Sequence, residues 1–196
     1  LSEPGVTTLG DSGGFQIASG AVKWDPNLLP LIFGWLERNS NIAMNLDIPP
    51  RMKYANKFSE ALEISIENFK YFDKHQTGKT KFLNVIQGND EISYKKWYES
   101  VKMFDFRGWG IGGATTSIYR LMCALSILLE NKEHLNQNRE YLHILGSSKI
   151  IDFFILSQLQ KSFNEVGSNL QVTTDSSTPS RNTTYGWFFY RANFKT

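Results

Sequence analysis

Phe82-Leu83-Asn84-Val85-Ile86-Gln87-Gly88-Asn89-Asp90 and, farther on, Gly108-Trp109-Gly110-Ile111-Gly112-Gly113 bracket a segment, residues 93–104, whose apolar positions recur at helical spacing. Each flanking run is short and apolar without strict alternation, as expected of a strand covered on both faces. Two strands that start 26 residues apart with a helix between them make one βα unit, and the crossover it needs makes the two strands parallel. Working outward, the same unit recurs. Candidate strands are residues 6–9, 42–46, 82–86, 108–111, 141–145 and 170–173. Helical spacing covers 58–72, where Phe58, Leu62, Ile66 and Phe69 share a face, and also 93–104, 116–131 and 150–163. The reading is α/β with a parallel sheet. Periodicity alone does not choose between an open sheet and a barrel. Eight units take about 250 residues, so six strands in 196 residues would be part of a barrel. No internal repeat divides the chain, and the polar stretch 173–184 is too short for a linker, so residues 1–196 are read as one domain.

Composition narrows the function classes. With 41% hydrophobic and 20% charged residues, the chain is neither disordered nor collagen-like. The longest apolar stretch, residues 118–129, contains Arg120 and falls short of the roughly 20 residues a membrane span needs, so no membrane partner is expected. Cys123 is the single cysteine, which excludes an internal disulfide framework and a Cys-based metal cluster within these residues. A reducing, cytoplasmic setting is the expectation. Residues 1–100 carry 11 Lys/Arg and 12 Asp/Glu, whereas residues 101–196 carry 10 and 7. After Asp175 come Arg181, Arg191 and Lys195 with no acid, a balance that permits nucleic acid without diagnosing it.

Chemistry in parallel α/β folds gathers beyond the carboxyl ends of the strands. Those ends read Asp11-Ser12-Gly13-Gly14-Phe15-Gln16, Asp47-Ile48-Pro49-Pro50, Gln87-Gly88-Asn89-Asp90, Gly112-Gly113-Ala114, Gly146-Ser147-Ser148 and Asp175-Ser176-Ser177. Any single Asp after a strand is most often a helix cap. Several on one rim, with an amide and glycine pairs, suit another role. Two carboxylates can divide into an ionised nucleophile and an acid/base, as in retaining glycosyl transfer. Glycines let the backbone approach a flat ligand, while Gln and Asp read donor and acceptor edges of a purine.

The segment Asp11-Ser12-Gly13-Gly14-Phe15-Gln16 resembles the Asp-Ser-Gly-Gly-[Phe/Tyr]-Gln signature of the tRNA-guanine transglycosylases. Asp175-x-x-x-Pro179-Ser180-Arg181-Asn182 is similar to that family's Asp-x-x-x-Pro-Thr-Arg-Asn nucleophile segment. Val85-Ile86-Gln87-Gly88 resembles its Val-Gln-Gly motif, Gly110-Ile111-Gly112-Gly113 its Ile-Gly-Gly, and Met44-Asn45-Leu46-Asp47-Ile48-Pro49-Pro50 its second Asp-containing motif. Each is weak alone; the five occur in order across most of the chain. The resemblance implies a partial (β/α)8 TIM-type barrel and a pentosyltransferase that exchanges guanine in a polynucleotide for a 7-deazaguanine. By it, Asp175 attacks C1′ to form a covalent glycosyl intermediate, and Asp11 is the general acid/base. Asp47, Gln87, Gly88, Gly112 and Gly113, with the backbone of Ser12, Gly13, Gly14 and Phe15, hold the base. Gly146, Ser147, Ser148 and Lys149 meet phosphates, and Ser180, Arg181, Asn182, Thr183 and Thr184 contact nucleic acid around an unstacked nucleotide. The partners so implied are tRNA or DNA, the free base, and a second copy or a partner subunit.

The departures from the family pattern are specific. Its Cys-x-Cys-x-x-Cys…His zinc site has no counterpart here and would lie beyond residue 196, so no metal or cofactor is expected in this chain, which reads as truncated. Ala114-Thr115-Thr116-Ser117-Ile118 stands where bacterial members carry Leu-Ala-Val-Gly-Glu, removing the carboxylate that meets an aminomethyl group. Gln87-Gly88-Asn89 replaces Gln-Gly-Gly. These changes fit a divergent branch, such as the phage or genomic-island relatives acting on DNA. The alternatives are a non-catalytic nucleic-acid-binding or partner subunit, and a nucleosidase or glycosidase using Asp11 and Asp175. Other motifs are read as structural. Gly108–Ile111 lies within a strand, which argues against a dinucleotide fingerprint. Gly78-Lys79-Thr80 is a loop, Cys123 a buried small hydrophobe, and His143 a satisfied core or rim histidine.

Overall fold

The computed structural model describes residues 5–114 and 117–176. They form an α/β domain around one all-parallel sheet of six strands in chain order: β1 (Leu9–Gly10), β2 (Ile42–Met44), β3 (Lys81–Ile86), β4 (Gly108–Ile111), β5 (Tyr141–Ile144) and β6 (Gln171–Thr174). Helices α1 (Gly14–Ser19), α2 (Leu28–Asn39), α3 (Phe58–His75), α4 (Glu91–Val101), α5 (Ile118–Glu130) and α6 (Ile150–Glu165) flank it. The sheet curls into half a barrel, consistent with a partial TIM-type barrel. Strand order equal to chain order is what repeated right-handed βα crossovers produce. Among the described residues no helix is long and apolar enough to cross a membrane.

Paired residues of a parallel sheet point to the same side, and neighbours along a strand alternate. The register pairs Leu9 with Ile42, Met44 with Leu83, Val85 with Gly110, Gly110 with His143, and His143 with Thr173. These residues therefore share one face. The opposite face carries the helices: Phe82 stacks on Phe33 of α2 and meets Phe72 of α3 edge-on, and Asn84 Nδ2 donates to the carbonyls of Val101 and Phe104 at the end of α4. The first face is thus the concave one. Gly110 belongs there because a Cβ would press 3.0 Å from Met44 Sδ and 3.3 Å from Val85 Cγ2.

The core sits between sheet and helices. Trp97, Trp109, Tyr94, Phe69, Phe72, Phe82 and Phe106 are fully buried there. Near the amino ends of the central strands a buried polar knot replaces apolar packing. Glu133 accepts from Tyr98 Oη (2.7 Å) and Trp109 Nε1 (2.9 Å), and pairs with Arg139, whose Nη1 also reaches the Phe106 carbonyl.

Five of the six expected strands lie within a residue or two of their predicted ends. The first differs: β1 is Leu9–Gly10, not residues 6–9. Thr8 instead ties to Asn41, its N–H and Oγ1 both donating to Asn41 Oδ1 and its carbonyl accepting from Asn41 N–H. Helix α4 starts at Glu91, two residues early, because Asp90 and Ser93 form a reciprocal capping box, with Ser93 N–H donating to Asp90 Oδ1 at 2.8 Å. Helices α1 and α2 were not foreseen. α1 has only six residues, and α2 exposes Leu31 and Trp35, which blurs its apolar periodicity.

Candidate functional site

Two residues beyond the concave layer of Leu9, Val85, Gly110 and Thr173 come Asp11, Gln87, Gly112 and Asp175. Side-chain alternation carries these four to the same inner rim. Asp47 follows Met44 by three, so parity alone would turn it away. A kink corrects this: Asn45 N–H still donates to Leu83 O in ladder fashion, then Asp47 N–H donates back to Asn45 O at 3.0 Å. The Asp47 carboxylate thereby meets Gln87, whose Nε2 donates to Asp47 Oδ2 at 2.8 Å.

Asp47 and Gln87 are buried, and burial pushes the Asp47 carboxyl up to about 7, helped by the nearby negative charge of Asp11. The Gln87 bond and the Arg51 cation oppose this rise without cancelling it. Near neutral pH the group thus lies close to half-protonated, able to donate or accept. Gln87 Oε1 is buried with no hydrogen-bond partner, and so is Arg51 Nη2. The glycines are close-approach positions. A Cβ on Gly14 would collide with the Asp47 carbonyl, and one on Gly112 with the Gln87 amide. Gly113, at φ +81°, holds a left-handed turn, and a Cβ there would lie 2.6 Å from Arg51 Nη2. Tyr94 Oη donates to the Gly112 carbonyl at 2.7 Å, and its ring covers Gly88.

Around the first strand end, Asp11 is exposed and its Oδ1 accepts from Gly13 N–H at 3.1 Å. Ser12 is buried, its Oγ donating to Asn45 O at 3.0 Å, so that hydroxyl secures the β1 and β2 loops together. Phe15, on α1, leaves its ring half exposed. At the opposite edge, the Asp175 side chain is 52% exposed. Its Oδ1 lies 3.1 Å from His143 Nε2 and accepts from Gly146 N–H at 2.7 Å. The His143 contact, seconded by the Gly146 bond, holds the carboxyl below its ordinary value, so Asp175 is ionised at neutral pH. Asp11 and Asp175 follow the two edge strands, five strand steps of about 4.8 Å apart along the sheet; the curl draws those edges toward one another.

The loop after β5 serves structure more than expected. Gly146 N–H is taken up by Asp175, and buried Ser147 donates its hydroxyl to Asp152 Oδ2 at 2.8 Å. Lys149 is exposed just before α6. Ser180, Arg181, Asn182, Thr183 and Thr184 lie outside the described residues. Among the described residues no cluster of His, Cys, Asp and Glu is gathered for a metal ion. A cavity of about 340 Å³, with Trp24, Leu29 and Ile64 in its walls, lies against α2 and α3 on the outer layer, away from the rim chemistry.

The sequence marks His143 as a satisfied core or rim histidine without assigning it a partner, and does not single out Arg51. The signal for His143 was its parity: it pairs with Thr173, two residues before Asp175, and so points into the barrel directly beneath that carboxylate. The signal for Arg51 was its place in the Asp47 turn, which brings its charge to bear on that carboxyl. Compared with models of known protein families and with curated proteins, the sequence gives no match.

Proposed function

We propose that this chain is a base-exchanging pentosyltransferase, replacing guanine in a polynucleotide, tRNA or DNA, with a 7-deazaguanine through a covalent aspartyl-glycosyl intermediate. One observation carries the reading: an ionised, half-exposed carboxylate, Asp175, shares the inner rim with a buried carboxyl–amide pair, Asp47 and Gln87, that retains spare acceptor capacity. The Watson–Crick edge of guanine offers N1–H and an exocyclic NH₂ as donors, which Asp47 and the unpartnered Gln87 Oε1 suit. Gly112 and Gly113 leave room for the Gln87 amide and the Arg51 guanidinium to lie against backbone, which sets those two polar groups at the rim. Asp175 has the charge state a nucleophile needs, and Asp11 is the exposed carboxyl for moving the proton of the departing and incoming bases. The five ordered motifs and the Arg181-bearing tail support a polynucleotide over a free nucleoside.

The test is exchange of labelled guanine by the full chain, with a tRNA pool and with duplex DNA in separate reactions. Label should enter one of the two, and Asp175→Ala should abolish both exchange and the denaturation-resistant adduct. Exchange that survives Asp175→Ala would reject the assignment. Release of sugar from small nucleosides, without polynucleotide, would favour a nucleosidase.

A further inference from the structure

We infer that His143 is a positioning residue that, with the Gly146 N–H, clamps Oδ1 of Asp175 so that Oδ2 is the oxygen that bonds to C1′. This rests on the transglycosylase reading above and deepens it. The geometry is a chain of three side chains on adjacent strands. Thr173 Oγ1 lies 2.8 Å from His143 Nδ1, and His143 Nε2 lies 3.1 Å from Asp175 Oδ1. A carboxylate oxygen only accepts, so Nε2 carries the hydrogen; Nδ1 is then the acceptor for the Thr173 hydroxyl when the ring is neutral. His143 is 1% exposed and its neighbours in the sheet fix the ring, so the donor cannot swing away. Gly146, at φ +71°, turns its N–H onto the same oxygen from the other side. Both contacts, from His143 Nε2 and from the Gly146 N–H, fall on Oδ1.

Two donors on one oxygen have a chemical consequence. In the first half-reaction the Oδ2 lone pair forms a bond to C1′ as the C1′–N9 bond breaks. Guanine leaves with that electron pair as Asp11, having taken a proton from solvent, passes it to N9. Oδ1 becomes the ester carbonyl, still facing both donors. In the second half, N9 of the incoming base attacks C1′, gives its proton to Asp11, and the C1′–Oδ2 pair returns to the carboxylate. Negative charge reappears on Oδ1 between Nε2–H and the Gly146 N–H, the same arrangement by which oxyanion sites favour a charged state. The clamp therefore makes Asp175 a better leaving group at the step that resolves the adduct.

The experiment compares His143→Leu with His143→Gln in the full chain, the Gln amide supplying a donor near the place of Nε2. Carbon-13 NMR of labelled Asp follows the Asp175 titration, and nitrogen-15 shifts of His143 report which ring nitrogen is protonated. Neither needs activity. We expect an Nε2–H ring, an Asp175 titration that moves upward in His143→Leu, and recovery in His143→Gln. With labelled guanine and the polynucleotide that the unsubstituted protein accepts, His143→Leu should turn over on the order of 10- to 100-fold more slowly, the worth of one hydrogen bond to a charged group, while its covalent adduct accumulates. An Asp175 titration unmoved by His143→Leu, or adduct that resolves at the unsubstituted rate, overturns the proposal. Absence of adduct in the unsubstituted protein would count against the transglycosylase reading instead, and a shifted titration would still support the clamp.

Discussion

Asp47 offers the sharpest quantitative test, because its environment sets a pH dependence of stability that one atom change removes. The carboxyl lies buried with Gln87, and burial lifts it from 3.8 to about 7 in the folded protein. The folded state therefore holds the proton more tightly than the unfolded one. Stability is greatest below the unfolded value and falls as pH rises from about 4 through about 7. At about 1.4 kcal/mol per pH unit, the full rise corresponds to roughly 4 kcal/mol, of which roughly 2 to 3 is lost between pH 5 and pH 8. Asp47→Asn keeps the shape and the acceptor for Gln87 Nε2 but carries no titrating proton. Urea unfolding at pH 5, 6, 7 and 8 should show the unsubstituted protein losing stability more steeply than Asp47→Asn, with the difference between the curves growing by roughly 2 kcal/mol or more over that range. Parallel curves would mean that the carboxylate is solvated in the folded protein, and the reasoning about a dry base-reading pair would fail with it.

Other substitutions test the scaffold. Gly14→Ala sets a methyl against the Asp47 carbonyl, a backbone atom that cannot rotate aside. It should destabilise by roughly 1 to 3 kcal/mol, and an unchanged thermal midpoint would refute the close approach of α1 to the Asp47 turn. Glu133→Ala strips Tyr98, Trp109 and Arg139 of their shared acceptor and leaves the guanidinium buried. The expected loss is about 3 to 5 kcal/mol in urea, and a loss well under 1 kcal/mol would show that the knot is solvated.

Much of the site was legible because a parallel strand announces its own end. The apolar run 82–86 stops at Gln87, and 108–111 stops at Gly112, so the rim residues could be named by position. Asp90 showed the limit of that argument. It too follows a strand, yet its carboxylate caps α4 through Ser93 and stays out of the rim cluster. Telling a capping Asp from a site Asp needs the helix start, which residue types alone place only loosely.

The positions of five of the six strands, the helices α3 to α6, the parallel α/β class and the residues that follow each strand were written in the one-dimensional pattern, because periodicity and turn residues act over a few neighbours. What reaches across the sheet was not. The kink that returns Asp47 to Gln87, the register that sets His143 beneath Asp175, and the proton held on a buried carboxyl each depend on residues 30 or more positions apart meeting in a dry place. Only the packed sheet sets those distances and that dielectric, and with them which carboxyl is charged.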